Sequence, residues 1–131
     1  MDAQLKHVLC IDDEPDILEV AKMALETIGD FNVTSCGSGR EGIHQAEILK
    51  PDIILLDVMM PEMDGPSTLK LLQANPVVAN IPVIFMTAKV QPSELADYLA
   101  LGAIGVIPKP FDPMTLSGDV EAFWKAFRDK Q

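Results

Sequence analysis

Positive charge is scarce in this sequence. Ten Lys and Arg stand against twenty Asp and Glu, a net charge of −10. Nucleic acid and anionic lipid are gripped by clustered basic side chains. No such cluster is present, so the sequence predicts no direct nucleic-acid partner and no membrane partner. A protein partner or a bound cation suits this acidic field better. No apolar run approaches membrane-spanning length. Met1-Asp2-Ala3-Gln4 lacks the basic-then-apolar pattern of a secretory signal. Cysteine is scarce too: Cys10 and Cys36 each lie in an apolar segment. They read as buried thiols rather than a disulfide, which fits a cytoplasmic setting. His7 and His44 are too isolated to join them in a metal site. Met59, Met60 and Met63 suit loop and packing positions better than a copper site.

What the chain does have is alternation. With 131 residues it can bury one core, and a single domain over residues 1–131 is expected. Val8 to Ile11, Ile53 to Leu56 and Val83 to Met86 are short, β-branched and apolar at successive positions, the pattern of strands covered on both faces. Phe31 to Cys36 and Ile104 to Ile107 are diluted by polar residues and glycine, as edge strands are. Between these runs lie five helical stretches. The first follows Pro15, carries Ile17, Ala21, Ala24, Leu25 and Ile28 on one face, and stops at Gly29. The second covers about 39–49. The third starts near Pro66 and stops before Pro76. The fourth starts near Pro92, carries Leu95, Tyr98 and Leu99, and ends at Gly102. In the fifth, Asp112 and Pro113 look like N-cap and first helical residue ahead of Leu116, Val120, Phe123, Trp124 and Phe127. The aromatic group is core packing first, with one side available to a partner if a ring stays exposed.

Strand–helix alternation with right-handed crossovers demands an α/β fold: a doubly wound (βα)5 domain with a parallel five-stranded sheet. The burial pattern favours the order 2-1-3-4-5, the flavodoxin-like arrangement, whose switch point lies between strands one and three. Strand one runs into Asp12-Asp13-Glu14, strand three ends in Asp57, strand four ends in Thr87 and strand five leads to Lys109. Three carboxylates, a hydroxyl and an ammonium should therefore meet at one rim of the sheet. Carboxylates held that close repel, and a hard divalent cation such as Mg²⁺ relieves the repulsion. Carboxylates, Mg²⁺, Lys and Thr are the parts of a phosphoryl-transfer site, and a carboxylate can be the nucleophile. Asp57 is the best placed of the three. Gly37-Ser38-Gly39-Arg40-Glu41-Gly42 also fits a dinucleotide-binding pattern. It follows an edge strand, away from the switch point, so a plain turn and helix start explains it better.

Asp12-Asp13-Glu14-Pro15, Leu55-Leu56-Asp57-Val58-Met59-Met60-Pro61 with Asp64-Gly65, Met86-Thr87-Ala88 and Lys109-Pro110-Phe111 together resemble the receiver domains of two-component response regulators. The resemblance runs from about Lys6 to Phe127. It implies that Asp57 takes a phosphoryl group from a phosphohistidine on a sensor histidine kinase or histidine phosphotransfer protein. It implies Mg²⁺ bound by Asp13, Asp57 and the Met59 backbone carbonyl, and by Asp12 largely through water. Thr87, Lys109 and the Ala88 N–H would hold phosphoryl oxygens, Lys109-Pro110 would be cis, and the same site would hydrolyse the acyl phosphate. On this view the chain is a signalling switch rather than an enzyme acting on other substrates, and its output passes to a downstream protein target. A haloacid-dehalogenase-type phosphohydrolase is the enzyme alternative, but that class has a second Asp two residues after the first, where this chain has Met59. One departure stands out: Val106 occupies the position, three before the lysine, where most relatives carry Tyr or Phe. Since Val has no ring to swing inward, phosphorylation is expected to shift the face of helix four, strand five and helix five less than usual.

Overall fold

The computed structural model describes residues 4–130; Met1, Asp2, Ala3 and Gln131 lie outside it. In chain order the elements are β1 (His7–Ile11), α1 (Pro15–Thr27), β2 (Asn32–Cys36), α2 (Gly39–Leu49), β3 (Ile53–Asp57), α3 (Gly65–Ala74), β4 (Val83–Thr87), α4 (Pro92–Ala100), β5 (Gly105–Pro108) and α5 (Leu116–Asp129). The strands form one parallel sheet of order β2-β1-β3-β4-β5. The expected order holds, with β2 and β5 at the edges.

Alternation along each strand splits the core into two layers. Val8, Cys10, Ile53, Leu55, Ile84, Met86 and Ile107 face one way and meet Ala21, Ala24 and Leu25 of α1 with Leu116, Val120 and Trp124 of α5. Leu9, Ile11, Ile54, Leu56, Val83 and Phe85 face the other way and meet Ala46 of α2, Leu69 and Leu72 of α3, and Tyr98 of α4. Up to their last residues, Asp57 and Thr87, β3 and β4 are apolar because both faces are covered. Cys10 and Cys36 are both buried and free, and they belong to opposite layers, which separates the two thiols across the sheet. Burial pushes each thiol up to about 12, so both stay protonated and inert at neutral pH.

Three expectations need correction. The regular fifth helix begins at Leu116, not at Pro113. Asp112 instead closes a preceding turn: its carboxylate accepts from the Met114 N–H at 2.8 Å, and its carbonyl accepts from Thr115 and Leu116. Residues 112–115 are all exposed, and the helix becomes regular where Leu116 first reaches the core. Ile28 is not on the buried face of α1; it caps the helix and is 46 % exposed, while Leu18 packs inward. In α4, Leu99 is exposed and Leu95 only half-buried, which leaves Tyr98 as the inward residue.

Candidate functional site

The strand alternation that builds the core also builds the site. Cys10 and Leu55 are register partners facing the α1–α5 layer. Two residues further on, the same step brings Asp12 and Asp57 to the rim side by side. Asp57 pairs in register with Met86, and Met86 with Ile107; two residues beyond Ile107 comes Lys109. The ammonium reaches back across the rim, its Nζ 2.7 Å from Asp12 Oδ2 and 3.1 Å from Asp57 Oδ1. These ion pairs span 97 and 52 residues of sequence. Asp12 and Asp57 are buried and Asp13 is exposed, yet the three offer carboxylate oxygens within 4.8 Å of one another.

The hydrogen bonds are unevenly shared. Asp12 Oδ1 accepts from the Glu14 N–H at 2.9 Å and its Oδ2 from Lys109, so both oxygens are engaged. Asp57 Oδ1 accepts from Lys109, whereas Oδ2 is buried with no partner. Burial raises the Asp57 carboxyl to about 6; the hydrogen bond from Lys109 opposes the rise, the charge of Asp12 adds to it, and the Met59 backbone N–H facing the carboxyl opposes it more weakly. For Lys109, burial favours losing the proton, but the hydrogen bonds to Asp12 and then Asp57 outweigh it and hold the ammonium charged above its usual range. A buried oxygen with free lone pairs, beside two further carboxylates, suits a hard divalent cation bound through oxygen. Asp12, Asp13 and Asp57 are the side chains that fit one.

Thr87 ends β4 next to the Asp57 partner, but on the opposite side of the strand, in line with Phe85. It is buried, and its Oγ1 accepts from the Lys89 N–H at 3.0 Å. Lys109 is tied to it through backbone, the Lys109 N–H donating to the Thr87 carbonyl at 2.9 Å. Met59 lies on the loop just after β3 with its side chain 62 % exposed, while Met60 is buried. The Lys109–Pro110 bond is cis. The loop turns under tight control: Gly65 N–H donates to the Val58 carbonyl, and a Cβ at Gly65 would lie 2.4 Å from the Asp57 carbonyl oxygen.

The glycine run after β2 is spoken for by packing. A Cβ at Gly39 would meet Thr68 Oγ1 at 2.3 Å, and one at Gly42 would meet Ile11 Cδ1 at 2.3 Å. These glycines let α2 lie close to α3 and the sheet, which accounts for the motif without a nucleotide. His7 Nε2 hydrogen-bonds Thr34 Oγ1 across the β1–β2 edge at 2.9 Å, and His44 is exposed. Trp124 is buried, with Phe123 and Phe127 half-buried beside it. Sequence reasoning grouped Tyr98 with Leu95 and Leu99 and missed its singular burial. Only the rotation of α4 on the sheet separates the three.

Fold and rim define a doubly wound, flavodoxin-like domain with an acidic pocket at its switch point. The family model for the response regulator receiver domain matches residues 8–121, and the chain belongs to that family. The chain is 35 % identical over 117 residues to the alkaline phosphatase synthesis transcriptional regulatory protein PhoP of Bacillus subtilis, covering 89 % of this chain and 48 % of that protein. It is 39 % identical over 111 residues to the probable transcriptional regulatory protein TcrX of Mycobacterium tuberculosis, covering 84 % and 46 %. The chain thus spans about half the length of the curated relatives it matches. Among solved structures, the chemotaxis response regulator CheY4 of Vibrio cholerae aligns with a TM-score of 0.84 at 28 % identity, over 92 % of this chain and 99 % of that one. A Francisella response regulator receiver domain aligns with a TM-score of 0.83 at 30 % identity, over 93 % and 98 %.

Some relatives are named as DNA-binding regulators, such as MtrA of Mycolicibacterium smegmatis, of which this chain covers 52 %. Among the described residues no helix is long and apolar enough to cross a membrane.

Proposed function

We propose that this receiver domain is a phosphoacceptor switch in which Asp57 takes a phosphoryl group from a phosphohistidine of a sensor kinase or phosphotransfer protein. The observation that carries this reading is the asymmetry of Asp57: one oxygen held by Lys109, the other buried without a partner. An uncommitted lone pair on a carboxylate beside a fixed ammonium is what attack on phosphorus needs. The carboxylate oxygen forms the new P–O bond as the P–N bond breaks, and the imidazole leaves with the electron pair.

Receiver domains are generally Mg²⁺-dependent. Asp12, Asp13 and Asp57, with the Met59 carbonyl, are the groups proposed to hold that ion here. When bound, it offsets negative charge on the carboxylates and the transferring phosphoryl group. Lys109 supplies a fixed positive charge to a phosphoryl oxygen, and its backbone tie to Thr87 keeps two phosphoryl-binding groups in register. The Thr87 hydroxyl and the Ala88 N–H complete the donors. Water attacking the acyl phosphate at this rim returns Asp57 to its free form, so the chain acts only on itself.

Residues 1–131 are proposed to act as one receiver unit in the cytoplasm, with output through contact with a downstream protein. With its net charge of −10, the chain is not proposed to grip DNA itself. Incubation with acetyl phosphate and Mg²⁺, followed by intact mass measurement, tests the reading. Wild type should gain one phosphoryl unit and Asp57→Ala none. Equal labelling of both would overturn it, and steady hydrolysis of small phosphate esters would favour a phosphohydrolase.

A further inference from the structure

The sheet has two edges, and they are not equally closed. β5 is four residues long and ends at Pro108, which has no N–H to offer a further strand. β2 is five residues, Asn32-Val33-Thr34-Ser35-Cys36, with no charged residue, no proline and an unbroken register against β1. None of the usual devices that blunt an edge is present in it. Its backbone groups can be assigned one by one. The Asn32 N–H donates to the Lys6 carbonyl at 2.8 Å, and the Cys36 carbonyl accepts from the Asp12 N–H at 3.0 Å. Alternate residues of a parallel strand bond to the same neighbour, so Asn32, Thr34 and Cys36 serve β1. The N–H and C=O groups of Val33 and Ser35 therefore point away from the sheet. β2 is the last strand on this side, and no described strand meets those four groups. Ser35 also leaves a buried hydroxyl without a partner.

We propose that β2 is a docking edge for the β2 of a second copy of this chain, the two strands running antiparallel. Outward residues spaced two apart suit that ladder. With Thr34 opposite Thr34 of the second copy, Val33 of each chain exchanges two hydrogen bonds with Ser35 of the other, and all four outward groups on both strands are satisfied. The strand ends then fit by charge. Asp30 precedes β2 and Arg40 lies in the first turn of α2, and both are exposed. The same register sets Asp30 opposite Ser38, the N-cap of α2, and so beside Arg40 of the other chain. A carboxylate there meets an opposite charge and the positive end of a helix, once at each end of the pair. A parallel pairing would instead set Asp30 by Asp30 and Arg40 by Arg40. Glu41, the acidic residue of that first turn, lies against the Cys36 thiol of its own chain. The inference stands apart from the reading of Asp57, which lies on β3.

A five-residue strand pair is a small interface, and a net charge of −10 on each chain opposes its approach, so the dimer should be weak. Sedimentation velocity on the full chain should find monomer near 10 µM and mostly dimer at about 1 mM. Hydrogen exchange locates the contact: the Val33 and Ser35 amides should exchange about tenfold more slowly at the higher concentration, while Asn32 and Thr34, already bonded to β1, change little. Arg40→Glu should raise the dissociation constant by about tenfold or more, and adding Asp30→Lys to it should bring the constant back. Both residues are exposed, so the two variants should melt within a few degrees of wild type. Ser35→Pro, which deletes an outward N–H and leaves the β1 ladder intact, should also weaken the pair. A chain that stays monomeric at the higher concentration overturns the proposal. So does a dimer whose Val33 and Ser35 amides gain no protection, or one that Arg40→Glu leaves unchanged.

Discussion

At Asp57 two demands oppose each other. The proposed phosphoryl transfer needs an ionised carboxylate, while burial beside Asp12 makes ionisation costly and lifts its pKa from 3.8 to about 6. A raised folded value means that folding takes up a proton between those two values. Stability from this group is therefore complete below the unfolded value and lost as pH rises through the folded one. Asp57→Asn removes the burden, so without divalent cation it should raise stability at neutral pH by on the order of 2 kcal/mol. The gain should vanish near pH 4, where the wild-type carboxyl is protonated in the fold. Chemical denaturation at the two pH values checks this. Lys109 has the opposite sign of effect. Lys109→Met leaves Asp12 and Asp57 buried and close with no ammonium between them, and should cost about 3 kcal/mol or more. The same variant should lose phosphorylation by acetyl phosphate, which intact mass reports.

At the scale of elements, the site depends on how tightly loops and helices approach the strand ends. Gly65, the first residue of α3, is the most sensitive of these positions. An added Cβ meets the Asp57 carbonyl oxygen at 2.4 Å and Val58 Cα at 2.8 Å, both backbone, so nothing flexible can yield. Gly65→Ala should therefore destabilise the fold by about 1–3 kcal/mol and move the amide signals of Asp57 and Val58. Gly42→Ala makes a similarly short contact, but with side-chain rather than backbone atoms, Cδ1 and Cγ1 of the buried Ile11, which can shift within the core. It should cost less and leave the Asp57 amide where it is. Equal losses of stability in the two variants would contradict this account of the loop. The same scale explains why the fifth helix starts late: Asp112 and Pro113 form a real turn, but no buried residue holds that turn to the sheet before Leu116.

For the whole molecule, a cation bound at the rim would link the site to global stability. An ion that binds the folded chain and not the unfolded one stabilises it by about 2.7 kcal/mol at a hundred times its dissociation constant. Mg²⁺ should raise the melting temperature of wild type, and Asp13→Asn should blunt that rise without lowering the metal-free value, because Asp13 is exposed. A calorimetric titration of both proteins measures it. The excess of acidic side chains, a net charge of −10, adds a diffuse attraction for cations that added monovalent salt should screen. The local gain at Asp13 should outlast it.

The layered fold was legible because its signals are local and periodic. Apolar runs such as Ile53 to Leu56 declare strands buried on both faces, prolines and glycines mark helix limits, and alternation forces a parallel sheet. The sequence also predicted that Asp12, Asp13, Asp57, Thr87 and Lys109 would meet at the carboxyl rim of the sheet; the three carboxylates and the Lys109 ammonium do, while the Thr87 hydroxyl bonds the Lys89 N–H instead. Side-chain facing was not legible. Whether Thr87 looks toward Asp57 or along the Phe85 side, which oxygen of Asp57 lacks a partner, and which of Leu95, Tyr98 and Leu99 reaches the core all depend on how each element is rotated against the rest. Period and spacing fix which positions share a face, but packing between layers selects the face that turns inward, and that choice is made only when the whole chain is assembled.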